Sequence, residues 1–129
     1  MPQPEKNKKV IKELPIFSFK SANELREWLM GNHAVSEGIW LRIYKKNSGV
    51  ESVTFEEVLD GGLSFGWSES KRIKGDEKSY LQRFTPRRTI GTTSKRNLEH
   101  VKRLISENKM MPSGLKALGL DSLGKIKKR

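Results

Sequence analysis

The segment Gly38 to Lys46, GIWLRIYKK, is the feature that most constrains how this chain folds. Every second residue is a large aliphatic one: Ile39, Leu41 and Ile43. The residues between them are Trp40, Arg42 and Tyr44. This two-residue period is that of a strand whose two faces meet different surroundings. The segment therefore predicts a sheet with one apolar face, in a fold that is not all-helical.

Two capping boxes predict the starts of helices on either side of that strand. They are Ser21-Ala-Asn-Glu24 and Thr54-Phe-Glu-Glu57. In this motif the hydroxyl accepts a hydrogen bond from the amide three residues later, and the glutamate reaches back to the cap. Gly31 is expected to end the first helix in the left-handed conformation. The Gly61-Gly62 pair either weakens the end of the second helix or lets another element approach closely.

The second half of the chain predicts a hairpin followed by helices. Two strands are expected near 66–74 and 78–85, joined by a turn between them, and Pro86 ends the second because it has no amide proton. An apolar stripe predicts a helix over 94–109, and a short helix is expected over 112–118. The order α-β-α-β-β-α-α indicates an α+β domain, with a small, mainly antiparallel sheet packed by helices.

Composition indicates one domain with charged ends. The chain has 129 residues, of which 34% are hydrophobic and 32% charged, and no cysteine. Residues 1–12 are predicted to be a disordered basic arm, 13–120 a single α+β domain, and 121–129 a basic flexible tail. No apolar run approaches the roughly 18 residues of a membrane span, and the first residues lack a signal peptide's apolar region. A cytoplasmic location is therefore expected.

The positive charge of the chain is concentrated in its second half. Residues 71–109 carry twelve Lys or Arg and four Asp or Glu, whereas residues 13–70 carry five and nine. Such asymmetry favours an anionic partner, such as a small anion, an acidic partner or nucleic acid. The alternative is a solvated charged surface without a specific partner.

The stretch RFTPRRTIGTTSKRN, from Arg83 to Asn97, leads from the predicted hairpin into a helix. A helix N-terminus leaves about four amide donors unpaired and carries about half a positive charge. Arg87, Arg88, Lys95 and Arg96 add cations where the helix dipole already disfavours them. This arrangement lowers stability unless an anion or an acidic side chain lies nearby.

Two interpretations of this helix start remain open. In the first, the helix amides and the hydroxyls of Thr92, Thr93 and Ser94 hold a phosphate or carboxylate group. In the second, Ser94 caps the helix, and the arginines pair with acids from residues 51–69.

Trp67 and Glu69, in the segment SFGWSES, are candidates for the opposite wall of such a pocket. Trp67 is either a stacking surface for a ligand or a core residue. Glu69 is the acid nearest to the basic stretch in sequence, and so is a candidate partner for Arg83, Arg87 or Arg88. It is also a candidate general acid or base, although no nucleophile–base pair is visible around it.

The other chemical signals are weaker. Trp40, Arg42 and Tyr44 form either a base-stacking face or a sheet face that a helix covers. His33 and His100 lack the neighbours of a metal ligand or catalytic triad, so both are interpreted as structural. No phosphate-binding loop, dinucleotide fingerprint or metal-ligand cluster occurs. The sequence therefore predicts neither a metal nor a cofactor, and it assigns no catalytic residue.

Several motifs together resemble the YdeI/OmpD-associated family, also described as bacteriocin-protection proteins. The matching motifs are FGW, RFTPRR, S-K-x-N and M-x-P-x-G, and the resemblance spans about residues 17–114. The family usually has Ile-Asp-Gly where this chain has Ser68, Glu69 and Ser70, and Trp where it has Thr93. Many members continue into a helical C-terminal region, whose functions are not carried over. The resemblance implies a link to envelope stress or antimicrobial-peptide resistance, without an assigned reaction.

The leading prediction is an anion-binding domain. Its ligand is an anionic small molecule or an acidic partner, and the predicted binding residues are Arg83, Arg87, Arg88, Ser94, Asn97, Trp67 and Glu69. The alternative is weak, sequence-independent binding of nucleic acid through the basic second half and both tails. A third hypothesis is an enzyme that uses Glu69 as acid or base on a bound anion.

Overall fold

The computed structural model describes residues 14–88 and 94–120. Along the chain the elements are β1 (Ile16–Ser18), α1 (Ala22–Asn32), β2 (Ile39–Tyr44), α2 (Phe55–Phe65), β3 (Trp67–Lys74), β4 (Ser79–Pro86), α3 (Lys95–Ser106) and α4 (Pro112–Ala117). The α+β class is confirmed. The predicted arm at 1–12 and the predicted tail at 121–129 lie outside the described residues.

The four strands form one sheet in the order β1-β2-β4-β3. Strands β3 and β4 pair antiparallel, as the hairpin signal predicts, and β4 also pairs antiparallel with β2. Strand β1 pairs parallel with β2 at the edge. The sheet is therefore mainly antiparallel, as expected, with one parallel pairing.

Strand β1 is an addition to the predicted order. It has three residues, all exposed, so no alternation of buried and exposed positions marks it in the sequence. Its position is set by the pairing with β2. Just before β1, the Pro15 carbonyl oxygen accepts from the Trp40 amide of β2 at 2.8 Å. A strand this short is held by its neighbour rather than by its own sequence.

Helix α1 begins at its predicted cap and ends later than predicted. Ser21 Oγ accepts from the Glu24 amide at 3.2 Å. The helix then continues through Gly31, the residue expected to end it, to Asn32. His33 closes the helix, because its amide donates to the Leu29 carbonyl oxygen at 2.8 Å.

Helix α2 lies between the sheet and the two C-terminal helices, α3 and α4. One apolar cluster joins α1, α2 and one face of the sheet, and it includes Leu25, Leu29, Ile39, Leu41, Ile43, Val58, Trp67 and Phe84. A second cluster joins α2 to α3 and the residues around α4, and it includes Leu59, Leu63, Val101, Leu104 and Leu118. The molecule is therefore layered, with the sheet, then α1 and α2, then α3 and α4.

The Gly61-Gly62 pair allows this close packing of α2. A Cβ atom at Gly62 would lie 2.8 Å from the Trp67 carbonyl oxygen, and one at Gly61 would lie 3.3 Å from the Leu25 side chain. Of the two interpretations of this pair, the close approach of another element is the one that the structure shows. The helix keeps its complete capping box at Thr54 and ends at Gly66, which has a φ of 89°.

Candidate functional site

Arg87 is held at the junction of α2, β3 and β4. Strand β4 ends at Pro86, and the next amide, that of Arg87, donates to the Gly66 carbonyl oxygen at 2.9 Å. Gly66 is the left-handed cap that turns the chain from α2 into β3. This bond fixes the Arg87 backbone against the end of α2, so the arginine side chain extends from a defined position.

The guanidinium of Arg87 has an unsatisfied donor. Its Nε atom is buried and makes no hydrogen bond within the described part of the chain. Leaving a buried donor without an acceptor costs about 1–3 kcal/mol. An acceptor oxygen that reached this nitrogen would recover that free energy.

Glu69 is the described acid that interacts with Arg87. It lies on β3 directly opposite Phe84, and its side chain is half-buried. Burial raises the pKa of the Glu69 carboxyl above the ordinary 4.5, while its own backbone amide and the Arg87 charge act in the opposite direction. The structure therefore brings Glu69 and Arg87 together, as the sequence suggested for Glu69.

Trp67 belongs to the core and not to the wall of a pocket. Its side chain is 1% exposed, and its ring contacts Trp28 and Phe84 at centroid distances of 5.7 and 5.0 Å. Its indole Nε1 donates to the His33 carbonyl oxygen at 3.3 Å. Because no face of the ring is free, the structure supports the core interpretation of Trp67 and not the ligand-stacking one.

Arg83 points away from Glu69. Arg83 pairs with Trp40 across the sheet, whereas its neighbour Phe84 pairs with Ile39 and Glu69. Successive residues of a strand face opposite sides, so Arg83 lies on the sheet face opposite to the apolar core. Arg83 is therefore separated from the predicted site.

Ser94 caps α3, as the second interpretation of the helix start predicts. Its Oγ accepts from the Asn97 amide at 3.0 Å, so Asn97 contributes its backbone to the cap. The first turn of α3 contains Lys95 and Arg96 and no acidic residue. Thr92 and Thr93 lie outside the described residues. The charge at this helix start is therefore not neutralised from within its own first turn.

The arginines before α3 form no close ion pair with a described acid. Within the described residues, the ion pairs closer than 4 Å do not include Arg83, Arg87 or Arg88. Asp60, one of the three acids of α2, accepts from Arg103 through both oxygens, at 2.8 and 2.9 Å. Apart from the Glu69 charge near Arg87, the positive charge of this region is left available.

The same network explains His100. Its Nδ1 lies 3.4 Å from Asp60 Oδ1 and 3.2 Å from an Arg103 nitrogen. Asp60 is on α2, whereas His100 and Arg103 are on α3. The three side chains therefore tie the two helices together, which is the structural role expected of this histidine.

A concavity, about 780 Å³ in volume, lies where α1 and α2 begin. Its lining includes the two caps Ser21 and Thr54, three lysines and two tyrosines, a combination that the sequence pattern does not reveal. Both cap hydroxyls are already engaged, because Ser21 Oγ accepts from the Glu24 amide and Thr54 Oγ1 accepts from the Glu57 amide. These two helix-start amides are therefore not free to bind an anion in the concavity.

Two features are absent from residues 14–88 and 94–120. No group of three or more His, Cys, Asp or Glu side chains is arranged to hold a metal ion there. None of the helices in these ranges has the length and apolar character needed to cross a membrane.

Comparison with known proteins gives one match. A family model described as a domain of unknown function, DUF8412, matches residues 17–117. No curated protein and no solved structure matches the chain. The matched range includes α1 through α4 and the whole Glu69–Arg87 junction. The chain therefore belongs to the DUF8412 family.

Proposed function

We propose that this domain binds a small anionic group, such as a phosphate, sulfate or carboxylate, at Arg87. The observation that carries the proposal is the buried Nε of Arg87, which lacks an acceptor among the described residues. Guanidinium groups form short, charge-assisted hydrogen bonds with these anions, and such bonds are about twice as strong as neutral ones. Arg88, which is exposed and next in the chain, adds a second charge.

The start of α3 supports the same function. Its first turn has two cations and no acid, and the Ser94 cap satisfies the amide of Asn97. A bound anion near this helix start would offset the unfavourable interaction of Lys95 and Arg96 with the helix dipole. In the proposal Ser94 and Asn97 shape the helix start, while Arg87 and Arg88 supply the binding charge.

Glu69 makes anion binding depend on pH. When ionised, its carboxylate competes with an added anion for the Arg87 charge. When protonated, it leaves that charge to the ligand. Because the pKa of Glu69 is raised, protonation occurs at a higher pH than for an ordinary glutamate. Anion affinity should therefore increase as the pH falls through the raised pKa of Glu69.

The same group affects stability with a definite sign. The folded state binds the Glu69 proton more tightly than the unfolded state, since the folded-state pKa is the higher one. Its contribution to stability is fully present below the unfolded pKa, and it is lost as the pH rises through the folded pKa. A ligand that binds the protonated form better must be tested at fixed pH.

Thermal unfolding tests the proposal. In the wild type, phosphate at about ten times its Kd should raise the Tm by about 5 °C, because the ligand binds only the folded state. Arg87→Gln should abolish this increase, and Arg88→Gln should reduce it. Lys102→Gln serves as the matched control, since it removes one exposed charge from the middle of α3. It should keep the full increase.

The control also separates specific binding from general salt stabilisation. Phosphate and sulfate stabilise most proteins weakly by exclusion from their surfaces. That effect should be equal in Arg87→Gln and Lys102→Gln. Equal protection of wild type, Arg87→Gln and Lys102→Gln would contradict the proposed site. Arg87 would then be a structural cation beside Glu69.

We also infer, as part of this proposal, that the domain is related to the YdeI/OmpD-associated proteins. What supports this is the set of motifs FGW, RFTPRR, S-K-x-N and M-x-P-x-G, all of which lie within residues 17–117. On this inference the protein acts in the cytoplasm, and anion binding is connected to envelope stress or to resistance against antimicrobial peptides. Loss of the Arg87 site should then weaken such resistance.

A further inference from the structure

The sheet has a second face that faces away from the apolar core. Across β2 and β4 the residues on this face pair as Trp40 with Arg83, Arg42 with Leu81, and Tyr44 with Ser79. On the edge strands, Ile16 pairs with Trp40 and Ile73 pairs with Leu81. We call these positions the outer sheet face: Ile16, Trp40, Arg42, Ile73, Leu81 and Arg83.

No described helix covers the outer sheet face. The two apolar clusters that α1, α2 and α3 build contain none of its residues. The aliphatic side chains at its two edges, Ile16 and Ile73, are 51% and 40% exposed. Between them, Trp40 is partly buried, and Leu81 is buried at 8% exposure. Within residues 14–88 and 94–120, therefore, no helix covers this face of the Trp40 strand, and the interpretation of a helix-covered face is not supported.

The charge on this face is positive. Its described ionisable side chains include Arg42 and Arg83, one on each central strand. Arg42 Nη1 donates to Ser79 Oγ at 2.8 Å and lies 3.6 Å from Asp76 at the hairpin. That contact fixes the direction of Arg42. Arg83 makes no ion pair with a described acid.

We propose that the outer sheet face binds single-stranded nucleic acid, with a base stacked on Trp40 and phosphates held by Arg83 and Arg42. A partly exposed indole beside arginines, on a sheet face that no described helix covers, combines the two features that such binding needs, a stacking surface and cationic charge. A second copy of this chain fits the face less well, because it would bring two pairs of arginines together without a described acid besides Asp76. The binding surface is distinct from the Arg87 junction.

The test measures binding of labelled twelve-residue oligo-dT and oligo-U to the full chain by fluorescence polarisation, at several salt concentrations. Trp40→Ala should weaken binding at least about tenfold, and Trp40→Phe should retain most of it, because base stacking tolerates a change of aromatic ring. The salt dependence should not change in either variant. Arg83→Gln should instead make the log–log salt slope shallower by about 0.7, the contribution of one phosphate on a single strand.

Lys102→Gln is the matched control, as it removes one positive charge from α3, far from the sheet in the layered order. It should leave affinity for oligo-dT within about twofold. Arg87→Gln should also bind the oligonucleotides normally, which separates this inference from the anion site. Thermal unfolding of each variant confirms that it is folded.

Three results would overturn the inference. The first is the same small loss of affinity in Trp40→Ala, Arg83→Gln and Lys102→Gln, which would mean diffuse attraction by charge alone. The second is no measurable binding by the wild type at about 0.1 M salt, where exposed charges more than about 10 Å apart are already largely screened. The third is self-association of the wild type that Trp40→Ala abolishes, which would make a second copy the occupant of the face.

Discussion

Replacement of Trp67 with alanine is expected to lower the free energy of unfolding by about 3–5 kcal/mol, the range measured for large aromatic residues in protein cores. The side chain is 1% exposed and touches two other aromatic rings, so its removal leaves a cavity between α1 and the sheet. Its bond to the His33 carbonyl oxygen is lost as well. Urea unfolding at constant pH measures the difference.

Trp40→Ala is the control for this prediction. It removes the same side chain from the outer sheet face, where the ring is only half-buried, and should lower the free energy of unfolding by about 1 kcal/mol. If the two substitutions were equally costly, Trp67 would not have the core role described above. If Trp67→Ala were nearly neutral in stability but lost anion protection, the stacking role predicted from the sequence would return.

Gly114→Ala is expected to destabilise the protein by about 3 kcal/mol. A Cβ atom at Gly114 would overlap the carbonyl groups of Leu63 and Ser64 in the last turn of α2. These are backbone atoms and cannot turn aside as a flexible side chain can. Helix α4 would have to move away from α2, which would also strain the Met111 amide bond to the Ser64 carbonyl oxygen, 3.0 Å long.

Gly31→Ala is the matched control, because a Cβ atom at Gly31 meets nothing within 4 Å. Gly31 lies inside α1, where alanine favours the helix over glycine by about 1 kcal/mol. The same chemical change should thus stabilise the protein at Gly31 and destabilise it at Gly114. Two changes of the same sign would contradict the packing of α4 on α2 or the helical state of Gly31.

The fold was predictable where local signals and burial agree. The alternation at Ile39, Leu41 and Ile43 gives β2, and the hydroxyl caps at Ser21, Thr54 and Ser94 give the helix starts. Strand β1 was not predictable, because three exposed residues show no period and pairing with β2 decides their state. The end of α1 was missed because glycine permits the left-handed conformation but does not require it.

The candidate site was predictable only in part. The proximity of Glu69 to Arg87 depends on how β3 and β4 pair, and the irregular register between Glu69 and Arg72 leaves no mark in the sequence. Arg83 carried a signal that could have excluded it, since it alternates with the apolar Phe84 on the same strand. The burial of Trp67 could not be told from a ligand-stacking role, as both use an aromatic residue beside a glycine.

The measurement that tests the anion site most directly is an NMR titration of the Arg87 Nε–H group with phosphate. Arg87→Lys assigns the resonance by removing it. We expect a saturable shift of this resonance, with a higher affinity at a pH low enough to protonate Glu69 than at a pH above its raised pKa. In Glu69→Gln the affinity should be as high at the upper pH as at the lower one. An Arg87 Nε–H resonance unmoved by phosphate, in a protein that phosphate still stabilises, would contradict the account.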